Sequence, residues 1–232
     1  KGLNIAGNNN AIDVTTSGAT VGSVTIQNNT FQNTAAEGVD VNQGSSGALT
    51  LDFSNNTFGL GVTGNGFDAR TTAGSISLSF SNNSLLSGAT GAFIDASGGG
   101  SITITAFANN IVSGNTIGAG ININSAIFDQ SPGGTFQPVS GGTIVIGASG
   151  NGVGGGGLLL SNISGDLSFT DLDIFADNGA GLQTSSTGAY TGSAGFQLKV
   201  TTPSAAAVSA NNGPAVSITR ANLDLPFLSL VS

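Results

Sequence analysis

The sequence of 232 residues contains no cysteine, histidine, methionine or tryptophan. The absence of cysteine excludes disulfide bonds and thiolate metal sites, and it suits a secreted protein that does not rely on disulfides. Because methionine is missing even at position 1, we expect a mature product or a piece cut from a longer protein. No signal peptide and no apolar run of transmembrane length is visible.

Positive charge is scarce. The cationic residues are Lys1, Arg70, Lys199 and Arg220, against 12 acidic residues, and the net charge is −8. A chain without a basic stripe has nothing to meet phosphate groups, so nucleic acid and anionic membrane surfaces are disfavoured as partners.

Glycine and alternating apolar residues are abundant instead. Glycine fills 38 positions and charged residues make up only 7%, a composition that by itself would suit a disordered chain. However, 38% of the residues are apolar, and many short stretches place them at every second position. This alternation indicates a folded chain that is rich in β-strands.

Two series of short motifs repeat at a constant interval. Asparagine pairs begin at Asn28, Asn55, Asn82 and Asn109, each 27 residues after the one before. A second series ("AIDV", "GVDV", "GFDA", "FIDA", "GINI") carries apolar residues 27 or 28 residues apart, at Ile12, Val39, Phe67, Ile94 and Ile121. A coil that winds once per repeat needs such a period, because each strand pairs with its equivalent one turn later. We therefore predict an all-β parallel solenoid of about eight coils, spaced about 4.8 Å apart.

The whole chain, residues 1–232, is predicted to be one solenoid segment of a longer protein. Regular coils span 1–126 and less regular coils span 143–232, where Gly157-Leu158, Gly181-Leu182 and Ala215-Val216 are predicted to continue the first series. Residues 127–142 break the period and include two prolines that do not suit central strands. This stretch is predicted to be a loop inserted into one coil.

The stretch "VTIQNNTFQNTAAEGVDV" (Val24–Val41) joins a strand, an asparagine turn, an apolar residue, a glycine and a second strand. In this it resembles the right-handed parallel β-helix proteins, which include pectate-lyase-like enzymes and the passenger domains of bacterial autotransporters. The resemblance covers Ile12 to Ile123 well and the rest loosely. It implies a right-handed coil with three sheets and a tight turn at which stacked asparagines form a ladder.

The asparagine pairs have two interpretations. Asparagine tolerates the left-handed backbone of a sharp corner, and amides stacked one coil apart can hydrogen-bond in a row. This predicts a structural ladder at Asn28, Asn55, Asn82 and Asn109. The acceptor pattern for N-glycosylation also fits Asn28, Asn55, Asn82 and Asn162. We prefer the structural interpretation, since an amide stacked in a ladder could not carry a glycan.

An acidic column is the second candidate site. Asp13, Asp40, Asp68 and Asp95 take matching places in the second series, and their apolar neighbours are predicted to point inward. The carboxylates would then repel one another on one outer face, unless water, a cation or Arg70 relieves them. The column is either a ligand or Ca²⁺ strip or a solvated edge. The solvated edge is preferred and no cofactor is expected, because the nonapeptide of calcium-binding solenoids is absent.

Asp171 and Asp173 are the candidate catalytic residues. They belong to the cluster "DLDIFAD", and a period of two places them on the same side of a strand. Paired carboxylates suit glycoside hydrolysis or cation binding. Without histidine, tryptophan or an aromatic sugar platform, however, we expect the chain not to be an enzyme.

These patterns favour a structural or adhesive rod in a secreted, surface-exposed bacterial protein, whose partners are the neighbouring coils or domains of the parent chain. One alternative is a module that binds or cleaves carbohydrate through the acidic side and residues 127–142, with glycans as partners. The other is a self-associating fibre or layer subunit, because the apolar C-terminal stretch "PFLSLVS" suits end-to-end association. Neither nucleic-acid binding nor membrane insertion is expected.

Overall fold

The computed structural model describes residues 3–7, 9–16, 18–19, 22–115, 117–185, 195–202 and 206–232. This part of the chain forms 24 β-strands, which we number in chain order. No helix long and apolar enough to cross a membrane occurs in it.

The strands form three faces, and each turn of the chain adds one strand to each face. Face 1 contains β3 (Gly22–Gln27), β6 (Ala48–Ser54), β9 (Ser75–Ser81), β12 (Ser101–Ala106), β15 (Ala126–Phe128), β18 (Ser164–Asn178), β20 (Phe196–Val200) and β23 (Asn222–Asp224). Face 2 contains β1 (Asn4–Gly7), β4 (Thr30–Thr34), β7 (Thr57–Phe58), β10 (Ser84–Leu85), β13 (Ile111–Val112), β16 (Val139–Ile146), the second half of β18, β21 (Ala206–Asn212) and β24 (Phe227–Val231). Face 3 contains β2 (Ile12–Thr16), β5 (Val39–Gln43), β8 (Phe67–Thr71), β11 (Ala92–Asp95), β14 (Ile121–Asn124), β17 (Leu158–Ser161), β19 (Leu182–Ser185) and β22 (Val216–Ile218).

Each strand pairs in parallel with the equivalent strand one turn away. On face 3, for example, β5 pairs with β2 on one side and with β8 on the other. The chain is therefore a parallel β-solenoid of about seven turns, which confirms the predicted fold class and comes close to the eight coils expected. The sheet that only the resemblance implied is face 2, whose short strands follow the asparagine pairs, as β7 follows Asn56.

The register on face 3 follows the predicted second series except in one coil. Val39 pairs with Phe67 as expected, but Phe67 then pairs with Ala92, and Ile94 pairs with Ala69. The series placed Ile94 after Phe67, so that assignment was wrong by two residues. The shift arises because the chain from the start of β8 to the start of β11 is shorter than one standard repeat. The motifs themselves keep their usual spacing, so they do not reveal the shift. Leu158, Leu182 and Val216 were predicted to continue the first series, but they stack in register on Ile121 and therefore continue the second series.

Faces 1 and 2 are formed by separate strands in the first coils and again in the last ones, whereas β16 and β18 each pass from face 1 to face 2. In the first coils an asparagine pair separates the two strands, as between β6 and β7. In β18, 15 residues pass from face 1 to face 2 without a break; this segment has no asparagine pair. The loss of the corner motif therefore explains why β18 is longer than the strands of the first coils.

The predicted insertion is shorter than residues 127–142. Strand β15 continues to Phe128 and β16 begins at Val139, because both side chains fit the buried core. The loop that leaves the coil is therefore 129–138. Its base is closed by Asp129, whose Oδ1 accepts hydrogen bonds from the backbone N–H groups of Ser131 and Gln137.

The interior is filled by apolar side chains that stack on their equivalents in the next coil. Phe53 and Phe80 stack with ring centroids 5.6 Å apart, and Phe80 and Phe107 with centroids 6.0 Å apart. All three rings are completely buried. Offset aromatic stacking adds about 0.5–1.5 kcal/mol per pair to the effect of burial, so the repeat itself stabilises the column.

A column of small residues lies where each strand of face 3 begins. Its members are Ala11, Gly38, Gly66, Gly91, Gly120, Gly157, Gly181 and Ala215. A Cβ atom added to Gly120 would lie 2.3 Å from Cγ2 of Ile146 and 3.0 Å from the carbonyl oxygen of Gly157. The column is therefore explained by the close approach of face 3 to the apolar side chains of face 2.

We expect Gly120→Ala to destabilise the fold by about 1–3 kcal/mol, because the new methyl group overpacks the core. The measurement is the free energy of unfolding in urea. Gly22→Ala is the matched control, since a Cβ atom at Gly22 meets nothing within 4 Å. Equal stability of the two variants would contradict the packing argument.

Candidate functional site

The corner between faces 1 and 2 is the structural site that the repeat builds most regularly. The first asparagine of each pair has a left-handed backbone there: φ is 58° at Asn28, 58° at Asn55, 56° at Asn82 and 58° at Asn109. Most residues lose about 1–2 kcal/mol in this conformation, which asparagine visits more readily. The side chain of the first asparagine is exposed at all four corners.

The second asparagine of each pair makes the hydrogen-bonded row. Asn29 donates from its backbone N–H and from Nδ2 to Oδ1 of Asn56, at 3.0 and 3.2 Å. Asn56 donates in the same two ways to Asn83, and its Nδ2 also donates to the carbonyl of Ile26 at 2.8 Å. Asn83 donates likewise to Asn110. The row thus satisfies backbone groups that the corner removes from the strand pairing.

The two asparagines of a pair therefore have different roles. The ladder that was predicted at Asn28, Asn55, Asn82 and Asn109 belongs to their neighbours Asn29, Asn56, Asn83 and Asn110. Both members repeat every 27 residues, so the period alone cannot separate them. Alternation counted back from the buried Phe58 would have placed Thr57 outward and Asn56 inward. One bond does join first members: Nδ2 of Asn109 donates to Oδ1 of Asn82 at 3.2 Å.

The asparagine ladder ends at Asn110, because an apolar residue takes the equivalent place in the next coil. The backbone N–H of Val145 donates to the carbonyl of Asn110, which places Ile144 in the ladder row. Leu172 and Ala206 follow Ile144 in register. At Ile144 and Leu172 an apolar side chain serves because β16 and β18 continue across the corner and their backbone groups pair within the sheet.

We expect Asn56→Ala to cost at least ~2 kcal/mol of unfolding free energy, because it leaves several buried donors and acceptors without partners. The matched control is its neighbour: Asn55→Gly keeps the left-handed corner and should change stability by less than ~0.5 kcal/mol. Denaturant unfolding measures both variants. A larger loss for Asn55→Gly than for Asn56→Ala would contradict the division of roles.

The acidic row on the outer side of face 3 is three residues long. Asp13 is in register with Asp40, and Asp40 with Asp68. The next place in this row is taken by Phe93, followed by Asn122. Asp95 was predicted to continue the row, but it pairs with Arg70 in the neighbouring row because of the register shift at Ala92.

Asp68 is the most buried carboxylate of the row, and its charge is compensated. Its side chain is only 2% exposed. Arg70 donates from Nε and Nη2 to its two oxygens, both at 2.7 Å, and Asn65 donates to Oδ2 at 2.7 Å. The guanidinium carbon of Arg70 also lies 4.8 Å from the ring centroid of Phe93. The pair is thus a closed, satisfied unit that offers a ligand little free hydrogen-bonding capacity.

Asp40 carries the electrostatic cost of the row. Partial burial raises the pKa of its carboxyl group; the charges of Asp68, Glu37 and Asp13 raise it further, and Arg70 opposes them. The charged form is held by amide hydrogen bonds from Asn10 at 3.2 Å and from Asn42 at 2.8 Å. The raised pKa means that the carboxylate form of Asp40 destabilises the folded state relative to the protonated form.

We expect Asp40→Asn to stabilise the protein at neutral pH by about 0.2–1 kcal/mol, the usual range for cross-strand charge pairs. A raised pKa gives stability that is fully present below the unfolded-state value and lost as pH rises through the folded-state value. The advantage of Asp40→Asn should therefore disappear in acid. Thermal unfolding at a series of pH values tests this, and a less stable variant at pH 7 would show that the hydrogen bonds outweigh the repulsion.

Asp171 and Asp173 both lie on β18 and are half-buried on the outer side of face 2. Asp171 is in register with Thr143, and Asp173 with Val145 and Ala207. Burial raises the pKa of Asp173; the charge of Asp171 adds to this, and a hydrogen bond from the backbone of Ala207 opposes it. A carboxyl group with a raised pKa beside a second carboxyl group can share a proton or bind a cation.

The part of the chain that the structure describes contains no group of three or more acidic residues placed to hold a metal ion. No protein-family model, no curated protein and no solved structure matches the chain.

Proposed function

We propose that this chain is a rigid rod segment of a secreted, surface-exposed bacterial protein, which holds an adhesive or other binding surface away from the cell. The observation that supports this proposal is the unbroken parallel pairing of three faces over about seven turns. Each turn advances the rod by about 4.8 Å.

The construction resists bending and stretching. The hydrogen bonds between coils point along the rod, and all three faces must open together if one coil is to leave its neighbour. The stacked core adds a second continuous contact, from Phe31 and Phe58, whose ring centroids are 4.7 Å apart, onward through the later coils. Such an element keeps its two ends at a fixed distance from each other, which is the mechanical property that a stalk requires.

The outer surface is suited to contact with water along the rod. On face 1 the row Ser23, Thr50, Ser77 and Thr103 presents small hydroxyl side chains in register. Hydroxyl groups bind water without the repulsion that a row of like charges creates. This supports a rod that is soluble at low charge.

We expect deletion of residues 29–55 to shorten the rod by one coil, about 4.8 Å. The deletion joins Asn28 to Asn56, so the asparagine corner is rebuilt, and each face loses one strand. Because the chain has no cysteine, Ser23→Cys and Asn222→Cys introduce two unique spin-label sites, both on face 1. Seven steps separate their strands, so pulsed electron paramagnetic resonance should give a distance near 34 Å before the deletion.

Deletion of residues 29–56 is the control. It removes one residue more, so the ladder asparagine is lost and the alternation of the following strand is reversed. We expect this variant to lose its defined distance. A broad distance distribution in the full-length protein, or no shortening after removal of 29–55, would refute the rigid rod.

A further inference from the structure

The first asparagines of three pairs carry a chemical pattern that the rod does not use. Asn28, Asn55 and Asn82 each begin an Asn-Asn-Thr or Asn-Asn-Ser tripeptide. The objection to N-glycosylation was that an amide stacked in a ladder could not carry a glycan. The structure removes this objection, because the ladder belongs to the second asparagine and the first is exposed.

The nucleophilic nitrogen is accessible at all three corners. Within the described residues, no side-chain hydrogen bond involves the amide groups of Asn28 and Asn55. The amide of Asn82 accepts from Asn109 through Oδ1, which leaves its Nδ2 uncommitted. The hydroxyl residue of each tripeptide, Thr30, Thr57 or Ser84, is half-buried on the outer side of face 2.

Two other corners serve as comparisons. Asn162 also begins an acceptor tripeptide, but its Nδ2 donates to Oδ1 of Asn124 at 3.3 Å. Asn109 has the same exposed, left-handed corner as Asn82, but its Nδ2 donates to Oδ1 of Asn82, and Ile111 stands where the acceptor pattern needs a hydroxyl group. The free nitrogen, the corner and the hydroxyl group occur together at Asn28, Asn55 and Asn82.

We propose that Asn28, Asn55 and Asn82 form a row of N-linked sugar acceptor sites along the edge between faces 1 and 2. Nδ2 of the asparagine forms a bond to the anomeric carbon of a sugar, and the bond from that carbon to a diphosphate leaving group breaks. The proton lost from Nδ2 passes to a carboxylate of the transferase. The donor is a glycosyl diphosphate, either a nucleotide-activated hexose or a lipid-linked oligosaccharide.

The repeat limits how many large glycans the row carries. Adjacent corners are one coil apart, about 4.8 Å, so a branched oligosaccharide at Asn55 competes for space with one at Asn28 or Asn82. Single hexoses fit every corner, whereas oligosaccharides are expected at Asn28 and Asn82 in preference to Asn55. Replacing both outer acceptors, N28G and N82G, should then raise the occupancy of Asn55 without disturbing the left-handed corners.

The test begins with the folded 232-residue chain, a soluble N-glycosyltransferase and a nucleotide-activated hexose. We expect intact mass spectrometry to show one to three added hexoses, and peptide mapping to place them on Asn28, Asn55 and Asn82. The variant I111T completes the tripeptide at Asn109, but Nδ2 of Asn109 donates to Oδ1 of Asn82, so this variant should gain no further hexose there. The triple variant N28G/N55G/N82G keeps the left-handed corners, so it should lose these additions while its melting temperature stays close to that of the parent chain.

A second arm distinguishes the source of the sugar. The same chain is secreted from a cell that transfers lipid-linked oligosaccharide, and its mass is measured before and after enzymatic removal of N-glycans. Sugar on the corner row in either arm supports the proposal and identifies the donor. The proposal is overturned if the folded chain takes no sugar in both arms while the peptide Val24–Phe31 does. It is also overturned if Asn162 is modified in place of the row.

Discussion

Parallel pairing between equivalent strands is the constraint on which the rest of this structure depends. Since each strand pairs with its own equivalent one turn away, every side chain lies about 4.8 Å from the side chain at the same place in the next repeat. A residue type whose side chains attract one another therefore stabilises the fold when it recurs at the same place in successive coils. Phenylalanine does so by stacking, as Phe53 and Phe80 show, and asparagine does so by donating and accepting at once, as Asn56 and Asn83 show.

The same constraint works against repeated charge, and the outer side of face 3 shows how the chain limits the cost. Asp13, Asp40 and Asp68 stand in register, and the row ends after three members because Phe93 takes the next place. Arg70 neutralises the innermost carboxylate and lies over the ring of Phe93. The remaining repulsion falls on Asp40, whose pKa is raised. A row of three carboxylates is thus tolerated through one arginine and three amide donors.

The fold was predictable from the sequence because two motif series keep one period, and only a coil requires that. The exact partners were less predictable. Ile94 and Asp95 follow the motif pattern, but the shorter connection before Ala92 shifts them by two residues, and no motif marks that shift. The buried ladder at Asn56 could have been found by alternation from Phe58, whereas the long strand β18 could not. β18 is continuous because its segment lacks the asparagine corner motif. The period of the repeat does not show whether a strand without this motif runs straight through or bends by other means.

The corner also shows what the exposed asparagines are not needed for. In the coil after Asn109, the backbone N–H of Asn109 donates to the carbonyl of Gly141, and Gly142 has a φ of 55°. A glycine therefore supplies the left-handed residue in that coil, so the backbone does not require an asparagine side chain at this place. The ladder does not require it either, since the buried neighbour makes those bonds. The exposed amide of Asn55 is thus held in a fixed position by the backbone while it has no role in packing, and this combination leaves it available for chemistry at the surface.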